Sequence, residues 1–119
     1  MSRTLYERLG GSENIKKIAS DAVDLHLKNP IIAPRFQKSD VGRLKQLAHE
    51  FFCAGSGGPE KYSGRDMRTA HTAMNISEQE LVAVIDDIVK AMEMYQVGPQ
   101  EKGEVVAILY SLKGDIVRV

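Results

Sequence analysis

Apolar residues recur at intervals of three and four in four stretches of the chain, the spacing of one helix face. The first spans 12–28, SENIKKIASDAVDLHLK, with Ile15, Ile18, Ala19, Ala22, Val23, Leu25 and Leu27 on its apolar side. Ser12 is placed to cap it, and Asn29-Pro30 ends it, because proline disfavours helix in the residue before it. The second spans 40–54, DVGRLKQLAHEFFCA, where Asp40 caps a face of Val41, Leu44, Leu47, Ala48, Phe51 and Phe52. The third spans 77–95. Ser77 with Glu80 three residues on forms a capping box, and Leu81, Val84, Ile85, Ile88, Val89 and Met92 follow. The fourth spans 99–117, with Val105, Val106, Leu109, Leu112 and Ile116. Val97-Gly98-Pro99 joins the last two by a connection short enough to set them antiparallel.

No stretch alternates as a strand does, and no internal repeat is present. Gly10-Gly11 and Gly57-Gly58 mark turns. The loop over 55–66 is long for so small a domain and leads into a short helical segment at 65–73. Long loops in compact domains are often functional. The pattern predicts one all-α domain over 1–119.

Length agrees with it: 119 residues suit one domain, which buries roughly 65% of its unfolded surface. Sixteen basic and sixteen acidic residues cancel, so no basic stripe is on offer for nucleic acid. A single cysteine, Cys53, leaves no internal disulfide and suits a reducing compartment. There is no leader-like apolar segment at the start and no run of about 18 apolar residues, so the expected home is the cytoplasm, away from membranes.

Chemistry narrows to the three histidines, His26, His49 and His71. HEFFC at 49–53 begins like the HExxH zinc motif but lacks the second histidine one turn on. Cys53 could take that place, though a buried free thiol is the simpler reading. As a nucleophile it would need an oriented base, and only His49 stands nearby in sequence. GGPEKYSG at 57–64 lacks the GK[ST] of a phosphate loop. Helical spacing alone makes His71 a structural residue as readily as a ligand. The aromatic residues Phe36, Phe51 and Phe52 gather around the second helix, and a flat apolar cofactor could lie between it and the His71 segment.

The chain resembles the group I truncated haemoglobins in LYERLGG at 5–11, NPIIAPRF at 29–36, the segment from Arg43 through EFF to GGPEKYSGRDMRTAH at 71, and LKGDIV at 112–117. The resemblance implies a two-over-two helical sandwich around one haem b per chain. It makes His71 the proximal iron ligand, since a neutral imidazole nitrogen is a good donor to haem iron. The other ring nitrogen would donate to the Met67 carbonyl one turn back, fixing the tautomer. Phe36 would stack on the haem and Met67 touch it. Tyr62 and Arg68 would lie near the propionates, Ile76 and Val84 would line the proximal wall, and Leu44, Leu47, Ala48 and Phe51 would face the cofactor.

On the distal side the chain departs from the family pattern. Val23 stands where a tyrosine is common, Ala22 replaces a neighbouring phenylalanine, and Leu44, Leu47 and Ala48 occupy positions where glutamine or another polar residue is frequent. The distal pocket, with Val23, Ala48, His49 and Phe52, is thus expected to lack the usual donors, with Phe52 as a gate for gas. Three readings of His49 stay open: a polar pocket between helices, with His26 as a candidate neighbour, a donor to the gas, or a sixth iron ligand. The implied function is reversible binding of O₂, CO or NO. The rivals are an NO-detoxifying or redox enzyme served by a reductase, and a haem-based sensor using His49. No histidine follows His71, so covalent attachment through one is not expected. A small neutral globin is expected to be a monomer.

Overall fold

The computed structural model describes residues 3–119. Its first helix, α1 (Leu5–Arg8), is one turn held by a capping box between Thr4 and Glu7. Periodicity could not register so short an element. Helix α2 (Gly11–Lys28) starts earlier than expected, because Gly10 rather than Ser12 is its cap. Gly10 and Gly11 both take positive φ (101° and 77°), and a Cβ at Gly10 would press on Asn14 at 2.8 Å. Ser12 therefore sits inside the first turn with its hydroxyl free to leave the helix.

One turn of 3₁₀ helix (Ala33–Phe36) follows, then α3 (Val41–Gly55), capped by Asp40 from Arg43 N–H at 3.2 Å. The 55–66 loop leads to α4 (Met67–His71), five residues capped by Asp66. Helix α5 (Glu78–Met94) opens on the Ser77/Glu80 capping box. Helix α6 (Pro99–Ser111) ends sooner than the sequence predicts. The Leu112 N–H turns back to the Leu109 carbonyl, and a separate turn, α7 (Lys113–Ile116), sets off in a new direction. Gly114 lies in that turn, where helix continuation has little support.

Helix α2 packs on α3 and on α5, α5 packs on α6, and α4 packs on α7. The pairs α2/α3 and α5/α6 make a two-layer all-helical sandwich. Ile15, Ile18, Ala19 and Ala22 of α2 meet Leu81, Ile85, Ile88, Ala91 and Met92 of α5, all buried. Burial of each large side chain contributes about 1.5–3 kcal/mol. The final residues return to the segment after α4: Val117 bridges Ile76, Arg118 N–H donates to the Ile76 carbonyl at 3.0 Å, and Ala73 N–H donates to the Val119 carbonyl at 3.1 Å. Among the described residues no helix is long and apolar enough to cross a membrane.

Candidate functional site

A cavity of about 280 Å³ opens between the α2/α3 layer and α4/α5. Val23 and His26 reach it from α2, Phe36 from the 3₁₀ turn, and Leu44, Leu47, Ala48, Phe51 and Phe52 from α3. Tyr62 comes from the loop, Met67, Ala70 and His71 from α4, and Leu81, Val84, Ile85 and Ile88 from α5. The lining is apolar apart from His26, His71 and the tyrosine.

His71 ends α4, and its Nδ1 lies 2.7 Å from the Met67 carbonyl. A carbonyl only accepts, so Nδ1 carries the proton and the neutral ring keeps its lone pair on Nε2. The spacing of one helical turn makes that bond local, which is why it could be read from the sequence. The short helix is anchored from outside. Arg68 pairs with Asp115 of α7 at 3.4 Å and donates to the Gly114 carbonyl at 3.3 Å. Arg68 does not line the cavity; its side chain is largely exposed and is engaged with α7. Ile76 also lies off the lining. Left-handed Ala73 and Asn75 (φ 68° and 53°) turn the chain after α4, carrying Ile76 to its bridge with Val117.

Tyr62 lines the cavity edge-on to Phe51, centroids 5.4 Å apart, but its hydroxyl donates to the Arg65 carbonyl at 2.7 Å. It braces the loop. Burial pushes the Tyr62 phenol up from its ordinary value.

On the α2/α3 wall Val23, Leu44, Leu47 and Ala48 offer no hydrogen-bond donor. His49 does not line the cavity. One residue past Ala48 is about 100° of helical rotation, and with Ala48 facing inward His49 faces outward. Its Nε2 lies 3.0 Å from Ser12 Oγ. The reading as a polar residue between helices is the one this geometry favours, with Ser12 rather than His26 as neighbour. The donor and sixth-ligand readings both need a ring on the cavity lining.

His26 was named only as a neighbour of His49, yet it is the histidine of this wall. It lies three residues after Val23, so the two share a helix face. Its Nδ1 meets buried Asp87 Oδ2 at 2.8 Å, and Asn29 Nδ2 donates to both Asp87 oxygens at 3.2 and 3.3 Å. The ring stacks on Phe36, centroids 5.9 Å apart and 11° between planes. The signal was Asp87 itself, an acid on the apolar face between Ile85 and Ile88, which requires a partner. Next to Phe36, Arg35 forks onto Glu80 (2.6 and 3.0 Å) and donates to the Met74 carbonyl at 2.8 Å. The Arg35 pairing holds the Glu80 carboxyl down to about 2.

The donor set suits a flat iron porphyrin: one imidazole of fixed tautomer, apolar walls, and an aromatic ring at the entrance to α3.

The bacterial-like globin family model matches residues 4–118. The group 1 truncated haemoglobin of a Synechocystis species is 31% identical over 111 residues, 88% of each chain. The chain is 25% identical to that of Tetrahymena pyriformis over 119 residues, covering 97% of this chain and 95% of the relative. The T. pyriformis crystal structure in its Fe(III) form superposes with a TM-score of 0.95 at 22% identity, covering 98% of this chain and all of the other. A Synechococcus 2/2 haemoglobin with covalently attached haem gives 0.89 at 24% identity, again covering 98% of this chain and all of the other. With nearly every residue inside the family match and the two-over-two sandwich reproduced, this chain belongs to the bacterial-like globins, a family of haem proteins.

Proposed function

We propose that the protein binds one haem b through His71 Nε2 and takes up a diatomic gas, O₂, CO or NO, reversibly. The observation that carries this is the Nδ1–H···O=C bond to Met67, which leaves a ligating lone pair on the ring of a cavity-lining histidine. Haem supplies the iron that receives the gas. Phe36 and Met67 would contact its faces, and Val84 its edge. The anchored turn of α4 orients the imidazole, and the apolar wall would limit water around a bound haem.

Val23, Leu44, Leu47 and Ala48 provide no donor, so a polar gas gains nothing from those four side chains. Fast O₂ release and weak discrimination against CO follow. Phe52, at the cavity and beside the α1–α6 packing, is placed to gate entry. A catalytic reading, NO detoxification with a reductase, calls for a long-lived oxygen complex, which a donor-poor wall disfavours.

A second reading rests on His26. It lines the cavity with Nδ1 committed to Asp87, leaving Nε2 as the one other imidazole lone pair at the cavity among the described residues. That ring, not His49, is the group a coordination-switching sensor would use.

The test is haemin reconstitution followed by ferric and CO-ferrous spectra. The leading reading expects one haem per chain, a high-spin ferric form and loss of the Soret band in His71→Ala. A low-spin ferric form that becomes high-spin in His26→Leu would establish the second reading. A chain that takes up no haemin sinks both.

A further inference from the structure

On the face of α3 turned away from the cavity lies a second cluster. His49 and Cys53 stand one turn apart on the same helix face, and Glu60 folds back over them from the loop. One ligand atom from each of the three lies within 4.8 Å of the others. Cys53 is fully buried, and His49 and Glu60 are half-buried.

The local backbone builds this meeting. Gly58 N–H donates to the Cys53 carbonyl at 2.8 Å, closing a turn directly after α3. A Cβ at Gly58 would collide with the Tyr6 ring, so only glycine lets the loop lie this close. Tyr6 in turn donates its hydroxyl to Glu60 Oε2 at 3.2 Å and so orients the carboxylate. The other oxygen, Oε1, is buried and has no hydrogen-bond partner. A carboxylate oxygen shut away without a donor is costly and rare. It faces the Cys53 thiol and the His49 imidazole, with the Ser12 hydroxyl beside them, and the thiol and hydroxyl are weak, rotatable donors. A cation at the centre of the three groups would satisfy it.

We propose that His49, Cys53 and Glu60 form a zinc site that pins the 55–66 loop to the face of α3 turned away from the cavity. A thiolate, an imidazole and a carboxylate are the donor types zinc takes, at about 2.0–2.3 Å each. Tetrahedral zinc spaces such atoms about 3.3–3.8 Å apart, so a small inward movement of Glu60, on the loop, completes the contact. The fourth position falls to water. Ser12, whose Oγ is 3.0 Å from His49 Nε2, is placed to hold that water or to release the ring to the metal. Binding releases the thiol proton to solvent, so affinity rises with pH. Sulfur and nitrogen donors select against magnesium and calcium. The site deepens nothing in the haem reading and stands without it: none of the three residues lines the cavity.

The experiment is equilibrium dialysis of the purified protein against micromolar ZnCl₂, with retained metal measured by atomic emission and affinity by competition with a chromophoric chelator. The expected result is one zinc per chain, at least ~100-fold weaker binding in Glu60→Gln and in Cys53→Ser, and no change in Soret band position on adding zinc. Should Cys53→Ser fold poorly, Glu60→Gln, altered only on the loop, carries the comparison. Retention below one-tenth of an equivalent, or equal affinity in Glu60→Gln, overturns the proposal. The zinc measurement reads the same whether or not the chain takes up haem, so the two failures are distinct.

Discussion

Replacing Glu80 by glutamine keeps an acceptor for the Ser77 N–H but removes the charge facing Arg35. In the native chain that carboxylate receives Arg35 Nε at 2.6 Å and Nη2 at 3.0 Å, and closes the capping box of α5 at 3.0 Å. A fall from 4.5 to about 2 would correspond in full to about 3 kcal/mol. The Arg35 side chain is 34% exposed, however, against 14% for Glu80. Solvent screening therefore reduces the contribution to about 1–2 kcal/mol. For a chain of 119 residues the unfolding entropy is about 0.25 kcal/mol/K, so Glu80→Gln should lower Tm by about 4–8 °C at pH 7. The pH dependence has a definite sign. A carboxyl held low in the folded state stabilises fully above its unfolded value of 4.5, and that stabilisation drains away as pH falls towards 2. Urea unfolding followed by far-UV circular dichroism at pH 7, 5, 4 and 3 measures the difference between the two proteins. The gap should be full at pH 7 and at pH 5, and narrow from pH 4.5 downward. A gap that stays constant from pH 7 to pH 3, or one below about 0.3 kcal/mol at pH 7, would refute the reasoning. The consequence is local as well as global. Arg35 precedes Phe36 and also holds the Met74 carbonyl, so the pair ties one cavity wall to the turn after His71.

Three further outcomes follow from the same contacts. His71→Gly should lose haem, and added imidazole should restore a Soret band by occupying the space of the missing ring; absence of any rescue would count against His71 as the ligand. Val23→Tyr places a hydroxyl on the donor-free wall and should slow O₂ release by roughly five- to 150-fold, the equivalent of about 1–3 kcal/mol, in a stopped-flow displacement with CO. Ala73 holds φ at 68°, which costs an L-residue about 1 kcal/mol. Ala73→Gly should raise Tm by a few degrees, and a fall of similar size would show that the methyl group matters more than the strain.

The helices that could be read from the sequence were those with both a cap and an apolar stripe. Asp40 and the Ser77/Glu80 box set the starts of α3 and α5 to the residue. Ser12 misled because two glycines begin α2 before it, and a positive φ leaves no mark in a hydrophobic pattern. The 99–117 stripe hid the break at Leu112, since Ile116 keeps the helical spacing while α7 turns to meet α4. His71 was legible because its partner lies one turn away. His26 was not, because Asp87 lies far along the chain, and neither helical stripe states which polar residues face each other. His49 shows the same limit: adjacency to Ala48 suggested the cavity, and one residue of helical rotation turned it off the lining face. Glu60 carried no signal at all, since only the folded turn at Gly58 sets it over Cys53.

The helix bearing His71 is five residues long, and its packing neighbour is α7 rather than the main sandwich. So small an element has little intrinsic stability, and one whole side of it borders an apolar hollow. Filling that hollow adds the free energy of cofactor binding to that of folding. In a living cell the empty polypeptide would be the form that proteases find first, and the amount of this globin would rise and fall with the supply of iron porphyrin rather than with its own synthesis alone.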